Sequence, residues 1–298
     1  MKNVPSLIAV MGPTGSGKSH FAELLQAELG AQLINADAFH VYRGFDIGTN
    51  KPKDKSLYEM LDIKNPTEDF GVGEWVQLTQ NILEELWKQQ KSAIVVGGTG
   101  LYIRALFECW NNLQSAPDPQ IREAVKEEYE TLGHEQFYKK LMDLDPTLTS
   151  KIDPHNPVRL TRAMEKILSP GKTIPIKLPP FQQYKLGIRL PVEVLNTSLD
   201  NRTVELLNSG WIQEVQHLVK KGVPEDSPAM RAIGYRTVLE LKRSNLSFSE
   251  ACASIQTETR QYAKRQRSWL RSEPRLKWID IQNYQELNRN LVRSIIGG

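Results

Sequence analysis

The sequence predicts an α/β protein, a doubly wound parallel sheet that carries a mainly helical insertion. Three observations predict it. The run Gly12-Pro13-Thr14-Gly15-Ser16-Gly17-Lys18-Ser19 is a complete G-x-x-x-x-G-K-[ST] phosphate loop and follows directly on the apolar Leu7-Ile8-Ala9-Val10-Met11, which makes the sheet P-loop NTPase-like. Apolar runs then alternate with amphipathic stretches as far as Val96, the grammar of β-α-β units. From about Ser115 the texture changes to charged, helix-forming sequence.

Taken in order, Leu7 to Met11 is the first strand. The helix after the loop places Phe21, Leu24, Leu25 and Leu29 on one face and stops at Gly30, as glycine in the left-handed region commonly stops a helix. Gln32-Leu33-Ile34-Asn35 is a second buried strand. Glu74 to Lys88 forms a helix with Trp75, Leu78, Ile82 and Leu86 inward, and Ala93-Ile94-Val95-Val96 is a third strand. Residues Pro119 to Leu168 are helical, broken at Asp145-Pro146, Asp153-Pro154 and Asn156-Pro157 and ended by Ser169-Pro170-Gly171. Leu178-Pro179-Pro180 is loop, and Tyr184 to Leu195 returns to strand composition. Residues 115–185 therefore read as an inserted helical domain, and 1–114 with 186–298 as the core.

The loop dictates chemistry as well as fold. Gly12, Gly15 and Gly17 let the backbone turn its N–H groups toward phosphate oxygens across Pro13, Thr14 and Ser16. Lys18 adds a point charge, and the Ser19 hydroxyl is placed to hold Mg²⁺. The helix N-terminus adds its dipole. A di- or triphosphate is expected here, but the loop serves kinases, NTPases and transferases alike.

Composition excludes several classes. Cys109 and Cys252 are too few for a disulfide framework or a zinc site. Met1-Lys2-Asn3-Val4-Pro5 enters the first strand without a signal-peptide apolar region, and no run reaches the roughly eighteen apolar residues of a membrane span. A cytoplasmic protein with no membrane contact is expected. The formal charge of +3 is modest but uneven: Arg260, Lys264, Arg265, Arg267 and Arg271 stand in a stretch without acids. On a helix, Arg260, Lys264, Arg267 and Arg271 share one face while Tyr262, Gln266 and Trp269 line a second. This is either a solvated face or a surface for a polyanion.

Asp37 follows the second strand, at the strand ends that form the crevice of a doubly wound sheet. There it serves as a general base, supports a metal, or caps a helix. The third strand ends without the carboxylate that ATP-using phosphate-loop proteins employ. It runs instead into Gly97-Gly98-Thr99-Gly100, which allows close backbone approach and presents a hydroxyl, with Thr99 also suited to an N-cap.

Several motifs now stand in order along the chain. They are the phosphate loop, Asp37 with Val41-Tyr42-Arg43-Gly44, and Asp46-Ile47-Gly48-Thr49 with Lys51-Pro52. They continue with Gly97 to Tyr102, Arg159-Leu160-Thr161-Arg162-Ala163, Met230 to Arg236, and Thr259 to Gln266. In this order they resemble the tRNA dimethylallyltransferases. The resemblance implies that the loop holds dimethylallyl diphosphate and that the five-carbon group passes to N6 of adenosine 37 in the anticodon stem-loop of tRNA. It further implies that Asp37 takes the N6 proton, that Thr99 orients the leaving diphosphate oxygen, and that Lys18 and Mg²⁺ at Ser19 stabilise the diphosphate. For tRNA it implies contacts from Asp37, Ala38, Phe39, His40, Thr99, Arg159, Arg162, Arg231, Arg236, Lys264, Arg265, Arg267 and Arg271. Separately, a monomer is expected. An activated allylic diphosphate requires no ATP hydrolysis, which accounts for the missing acid.

The chain departs from that family at Ala38, where serine is usual, and at Ser56-Leu57-Tyr58-Glu59-Met60, where a Pro-His-His-type segment is usual. Thr49-Asn50-Lys51-Pro52 also resembles the adenylate isopentenyltransferases, which prenylate free nucleotides. The extended basic surface favours an RNA acceptor. A small-molecule kinase with residues 115–185 as its lid requires the acid that is missing, and a non-catalytic RNA-binding protein has no need of Asp37 and Thr99.

Overall fold

In the computed structural model, residues 5–110, 113, 118–178 and 181–297 are described. The expected chain start at Met1 to Val4, the domain edge near Ser115 and the Pro179-Pro180 loop lie outside them.

Six parallel strands form one sheet: β1 (Ser6–Met11), β2 (Gln32–Asn35), β3 (Tyr58–Glu59), β4 (Ala93–Gly97), β5 (Gln182–Arg189) and β6 (Leu276–Asp280), in the order β3-β2-β4-β1-β5-β6. The apolar β1 lies between β4, pairing Leu7 with Ala93, and β5, pairing Leu7 with Gln183. Such continuous apolar runs are what a parallel strand covered on both faces requires. Helix α1 (Lys18–Leu29) buries Phe21, Ala22 and Leu25 against the sheet, in a cluster with Val10, Leu33 and Ile94. Phe21 and Leu25 each contribute about 1.5–3 kcal/mol of burial.

The remaining helices are α2 (Val72–Lys88), α3 (Gly100–Phe107), α4 (Pro119–Leu144), α5 (Pro146–Thr149), α6 (Pro157–Leu168), α7 (Val192–Leu206), α8 (Ile212–Lys220), α9 (Tyr235–Lys242), α10 (Phe248–Arg271) and α11 (Arg289–Ile296). The chain divides into two compact units, 1–109 with 177–298, and 110–176. The second unit has its own core, in which Phe137 and Leu141 of α4 meet Leu160 and Met164 of α6.

Several expectations need correction. The short β3 is an additional strand, so Ala93–Gly97 is the fourth; two residues pairing with Leu33 and Ile34 are too short to show as a period. Strand composition at Tyr184 to Leu195 overruns the element, because Pro191 begins α7 and Val192 onward is helical. The sheet also claims Gln182–Lys185, which shifts the end of the insertion from 185 to 176. Helix α2 turns Val76, Thr79 and Leu83 inward with Trp75 and Leu86, leaving Leu78 and Ile82 only partly buried. Leu29 is exposed at the end of α1.

A buried ion cluster fixes α3 and α10 to the sheet. Lys185 on β5 donates to Glu273, just beyond α10, and Arg104 on α3 donates to the same carboxylate at 2.9 Å while lying 4.1 Å above the Trp269 ring. A Cβ on Gly100 would sit 2.0 Å from Trp269, so α3 starts with glycine because α10 crosses there.

Candidate active site

The phosphate loop joins β1 to α1. Gly15 and Gly17 have φ of 79° and 81°, where L side chains are strained, and a Cβ on either would meet Leu199 or Leu287 at 2.6 or 2.4 Å. Ser16 N–H is spent on Pro13 O at 3.1 Å. Among the described residues, nothing takes up the N–H groups of Gly15, Gly17, Lys18 or Ser19. Ser16 Oγ is buried without a partner. Burial pulls the Lys18 ammonium down to about 8, against the charge of Asp37. The cradle is thus a set of unspent donors, which is what an anion needs. The described residues hold no group of three or more His, Cys, Asp or Glu able to bind a metal, so a cation here depends on the Ser19 hydroxyl and on phosphate oxygens.

Asp37 stands just past β2. Its backbone N–H donates to Asn35 Oδ1 at 3.2 Å, its carbonyl accepts from Asn35 Nδ2 at 3.1 Å, and its Oδ1 accepts from Phe39 N–H at 3.0 Å. Oδ1 therefore caps a tight turn rather than an α-helix, and Oδ2 has no protein partner among the described residues. Thr99 does not cap α3 through its side chain: Oγ1 accepts the Ala38 N–H at 3.2 Å, leaving the hydroxyl proton free. Alanine at position 38 leaves the Asp37 turn intact because the contact uses only backbone. His40 lies between Asn35 Oδ1 at 3.2 Å and Thr49 O at 2.9 Å, and burial lowers its pKa.

Two cavities open side by side. One, of about 320 Å³, contains the phosphate loop, His40 and Tyr58. The other, of about 290 Å³, is walled by Phe39, Leu206, Trp211, Arg231, Tyr262 and Arg265. Thr14, Asp37, Thr49, Asn50 and Arg202 line both.

Of the expected contacts, Asp37, Phe39, Arg231 and Arg265 meet around the second cavity. Arg236, Lys264 and Arg271 are exposed elsewhere on α9 and α10. The uniform basic stripe is corrected: Arg260 is held by both Asp200 carboxylate oxygens at 2.6 and 2.7 Å, and Arg267 is half-buried with Nε enclosed. Arg159 and Arg162 are exposed on α6 of the second unit, where Arg162 donates to Glu165 at 2.8 Å.

Sequence reading missed four residues. Arg202 on α7 donates to Thr14 Oγ1 at 2.9 Å and faces both cavities; no local motif marks it. Glu214 on α8 accepts the N–H groups of Asp46, Ile47 and Gly48 at 2.8, 2.7 and 3.2 Å, and the Tyr235 hydroxyl at 2.6 Å, which shapes the loop that lines the cavities. Asn35, polar at the end of an apolar strand, gave a legible signal. Gln266 reaches the phosphate loop from α10.

A family model described as IPP transferase matches residues 40–273. The chain is 33% identical to the tRNA dimethylallyltransferase of Thermomicrobium roseum, over 97% of this chain and 91% of that protein. It is 36% identical to the enzyme of the same name from Synechococcus sp. strain JA-3-3Ab, over 93% and 83%. The crystal structure of the Bacillus halodurans tRNA isopentenylpyrophosphate transferase superposes with a TM-score of 0.71 at 28% identity, covering 98% of this chain and 96% of that one. A eukaryotic dimethylallyltransferase acting on tRNA shares the fold at 22% identity, with a TM-score of 0.80 over 98% and 78%. The family match runs from His40, next to the Asp37 turn, to Glu273 in the buried ion cluster, well over half of the chain, and on it the chain belongs to the IPP transferase family.

Proposed function

We propose that the protein transfers the dimethylallyl group of dimethylallyl diphosphate to N6 of adenosine 37 in tRNA, releasing diphosphate. The observation that carries this reading is the meeting of the two cavities at Asp37: a phosphate cradle on one side, an aromatic and basic chamber on the other. Relatives named tRNA dimethylallyltransferase support it.

The donor diphosphate lies in the loop, where the free N–H groups, Lys18 and Arg202 face charge that grows as the allylic C–O bond breaks. Thr99, already accepting from Ala38, directs its hydroxyl proton to a leaving oxygen. The adenine enters from the second cavity, flipped from its stack and enclosed by Phe39 and Tyr262. Its amine is a weak nucleophile, and Asp37 Oδ2 accepts the N6 proton as the new C–N bond forms. The Ser19 hydroxyl would hold a Mg²⁺, an ion that rarely takes an all-protein cage; when bound, it would add to the neutralisation of the leaving group.

Arg231, Arg236, Lys264, Arg265 and Arg271, with Arg159 and Arg162 of the second unit, provide phosphate contacts for the anticodon stem-loop. A tRNA substrate favours the cytoplasm as the site of the reaction. The residues assigned to donor and acceptor all come from one chain, and the proposed acting unit is a monomer. No described helix is long and apolar enough to cross a membrane.

The test is to incubate the protein and Mg²⁺ with labelled dimethylallyl diphosphate and either unmodified tRNA or AMP. Label in tRNA alone is expected; label in AMP alone would identify a free-nucleotide enzyme.

A further inference from the structure

Gln266 lies on α10, 7% exposed, in a helix otherwise read for its charges. Its Oε1 accepts the Thr14 N–H at 2.7 Å and its Nε2 donates to Gly98 O at 3.0 Å. One partner is a donor and the other an acceptor, so the amide has one orientation, and a glutamine satisfies both while a carboxylate or a thioether does not. The two partners belong to different loops, the phosphate loop after β1 and the turn after β4 that carries Thr99. A Cβ on Gly98 would stand 2.2 Å from Nε2 and 3.8 Å from Lys18 Nζ, so this glycine admits the amide to the heart of the cradle. One turn earlier, the same helix gives Tyr262 to the second cavity, and Arg265 lies beside it.

We propose that Gln266 is a positioning residue that sets the phosphate loop in register with the Thr99 turn, so that the leaving oxygen of the bound diphosphate meets the Thr99 hydroxyl. The inference rests on the prenyl-transfer reading above. Thr14 is the loop residue that both cavities share and that Arg202 also holds. Gln266 fixes its backbone from one side and Arg202 its side chain from the other. Without the amide, the Thr14 N–H and the Gly98 carbonyl lose their partners together and the two loops separate. Because the amide rides on α10, the helix facing the acceptor also sets the donor site.

Two variants of the full chain test this. Gln266→Met keeps the length and removes both loop hydrogen bonds, together with the amide's contact to the Tyr262 hydroxyl. It is expected to weaken binding of inorganic diphosphate with Mg²⁺, read by calorimetry, by about tenfold. Single-turnover transfer to tRNA should slow by about tenfold or more, with tRNA affinity unchanged within about twofold. Gln266→Glu still accepts from Thr14 but donates to Gly98 only when protonated. Its rate relative to wild type at the same pH is expected to recover as the pH falls from about 7 toward the ordinary carboxyl range near about 4.5. A helix-packing role alone would not produce that recovery.

Unchanged diphosphate affinity and rate in folded Gln266→Met, tRNA affinity lost in step with rate, or a Gln266→Glu ratio flat with pH would each overturn the proposal. If Gln266→Met does not fold, the Gln266→Glu series decides. A wild-type protein that binds diphosphate yet leaves tRNA unprenylated would overturn the function proposed above, and calorimetry would still decide the role of Gln266.

Discussion

Arg202 donates to Thr14 Oγ1 across 2.9 Å, which brings a guanidinium from α7 against the phosphate loop. No carboxylate among the described residues pairs with it, and burial lowers its pKa. A partly buried cation without a carboxylate in ion-pair reach, beside unspent N–H donors, favours an anion in that space.

Replacing Arg202 by Met is accordingly expected to raise the donor KM by about ten- to a hundredfold, the worth of a hydrogen bond to a charged group. tRNA affinity should hold. Steady-state kinetics in each substrate check this, and a loss confined to tRNA binding would reassign Arg202 to the acceptor.

Lys18 predicts a pH dependence. Its pKa is lowered to about 8 by burial in the free protein, so the ammonium is charged below that value and neutral above it. Donor binding needs the charge. kcat/KM for the donor is therefore expected to fall as pH rises past 8, approaching tenfold per unit at about pH 9 and above. A profile flat to about pH 9.5 would show a Lys18 of ordinary basicity.

Glu214 holds the loop Asp46–Gly48 through three backbone N–H groups and Tyr235. Glu214→Gln places an N–H₂ where acceptors are needed and is expected to cost about 2 kcal/mol in urea unfolding. It should also raise the acceptor KM, because Gly48 to Asn50 line the second cavity. Unaltered stability would mean that the loop keeps its shape without the carboxylate.

The exposed basic face of α10 is narrower than a helical wheel implies. With Arg260 bound to Asp200 and Arg267 half-buried, the free cations are Lys264, Arg265 and Arg271. Replacing these three by Ala is expected to flatten the slope of log K against log[salt] for tRNA by roughly two to three units, leaving donor affinity intact. An unchanged slope would make the face merely solvated.

The strand–loop–helix unit was legible because its glycines and its apolar run each answer a backbone constraint that acts within a few residues. The position of Asp37 was legible for a related reason, since residues at the C-terminal ends of parallel strands face one crevice; Thr99 lines neither cavity and adjoins Asp37 through the Ala38 N–H. Arg202, Glu214 and Gln266 act across 188, 168 and 252 residues of sequence, and nothing in their neighbourhoods encodes the partner. The inward face of α2 was misjudged by part of a turn, because Thr79, a polar residue, takes a buried position. The ion pair that removes Arg260 from the basic stripe required knowing that α7 lies alongside α10.

The most direct test of the account is the single-turnover rate of dimethylallyl transfer to unmodified tRNA by Asp37→Asn against wild type, with tRNA affinity measured in parallel. Asn keeps an oxygen for the Phe39 N–H but cannot take the N6 proton, so the rate is expected to fall by about a hundredfold or more at unchanged tRNA affinity. A rate near that of wild type would contradict the account and leave Asp37 as the cap of its turn.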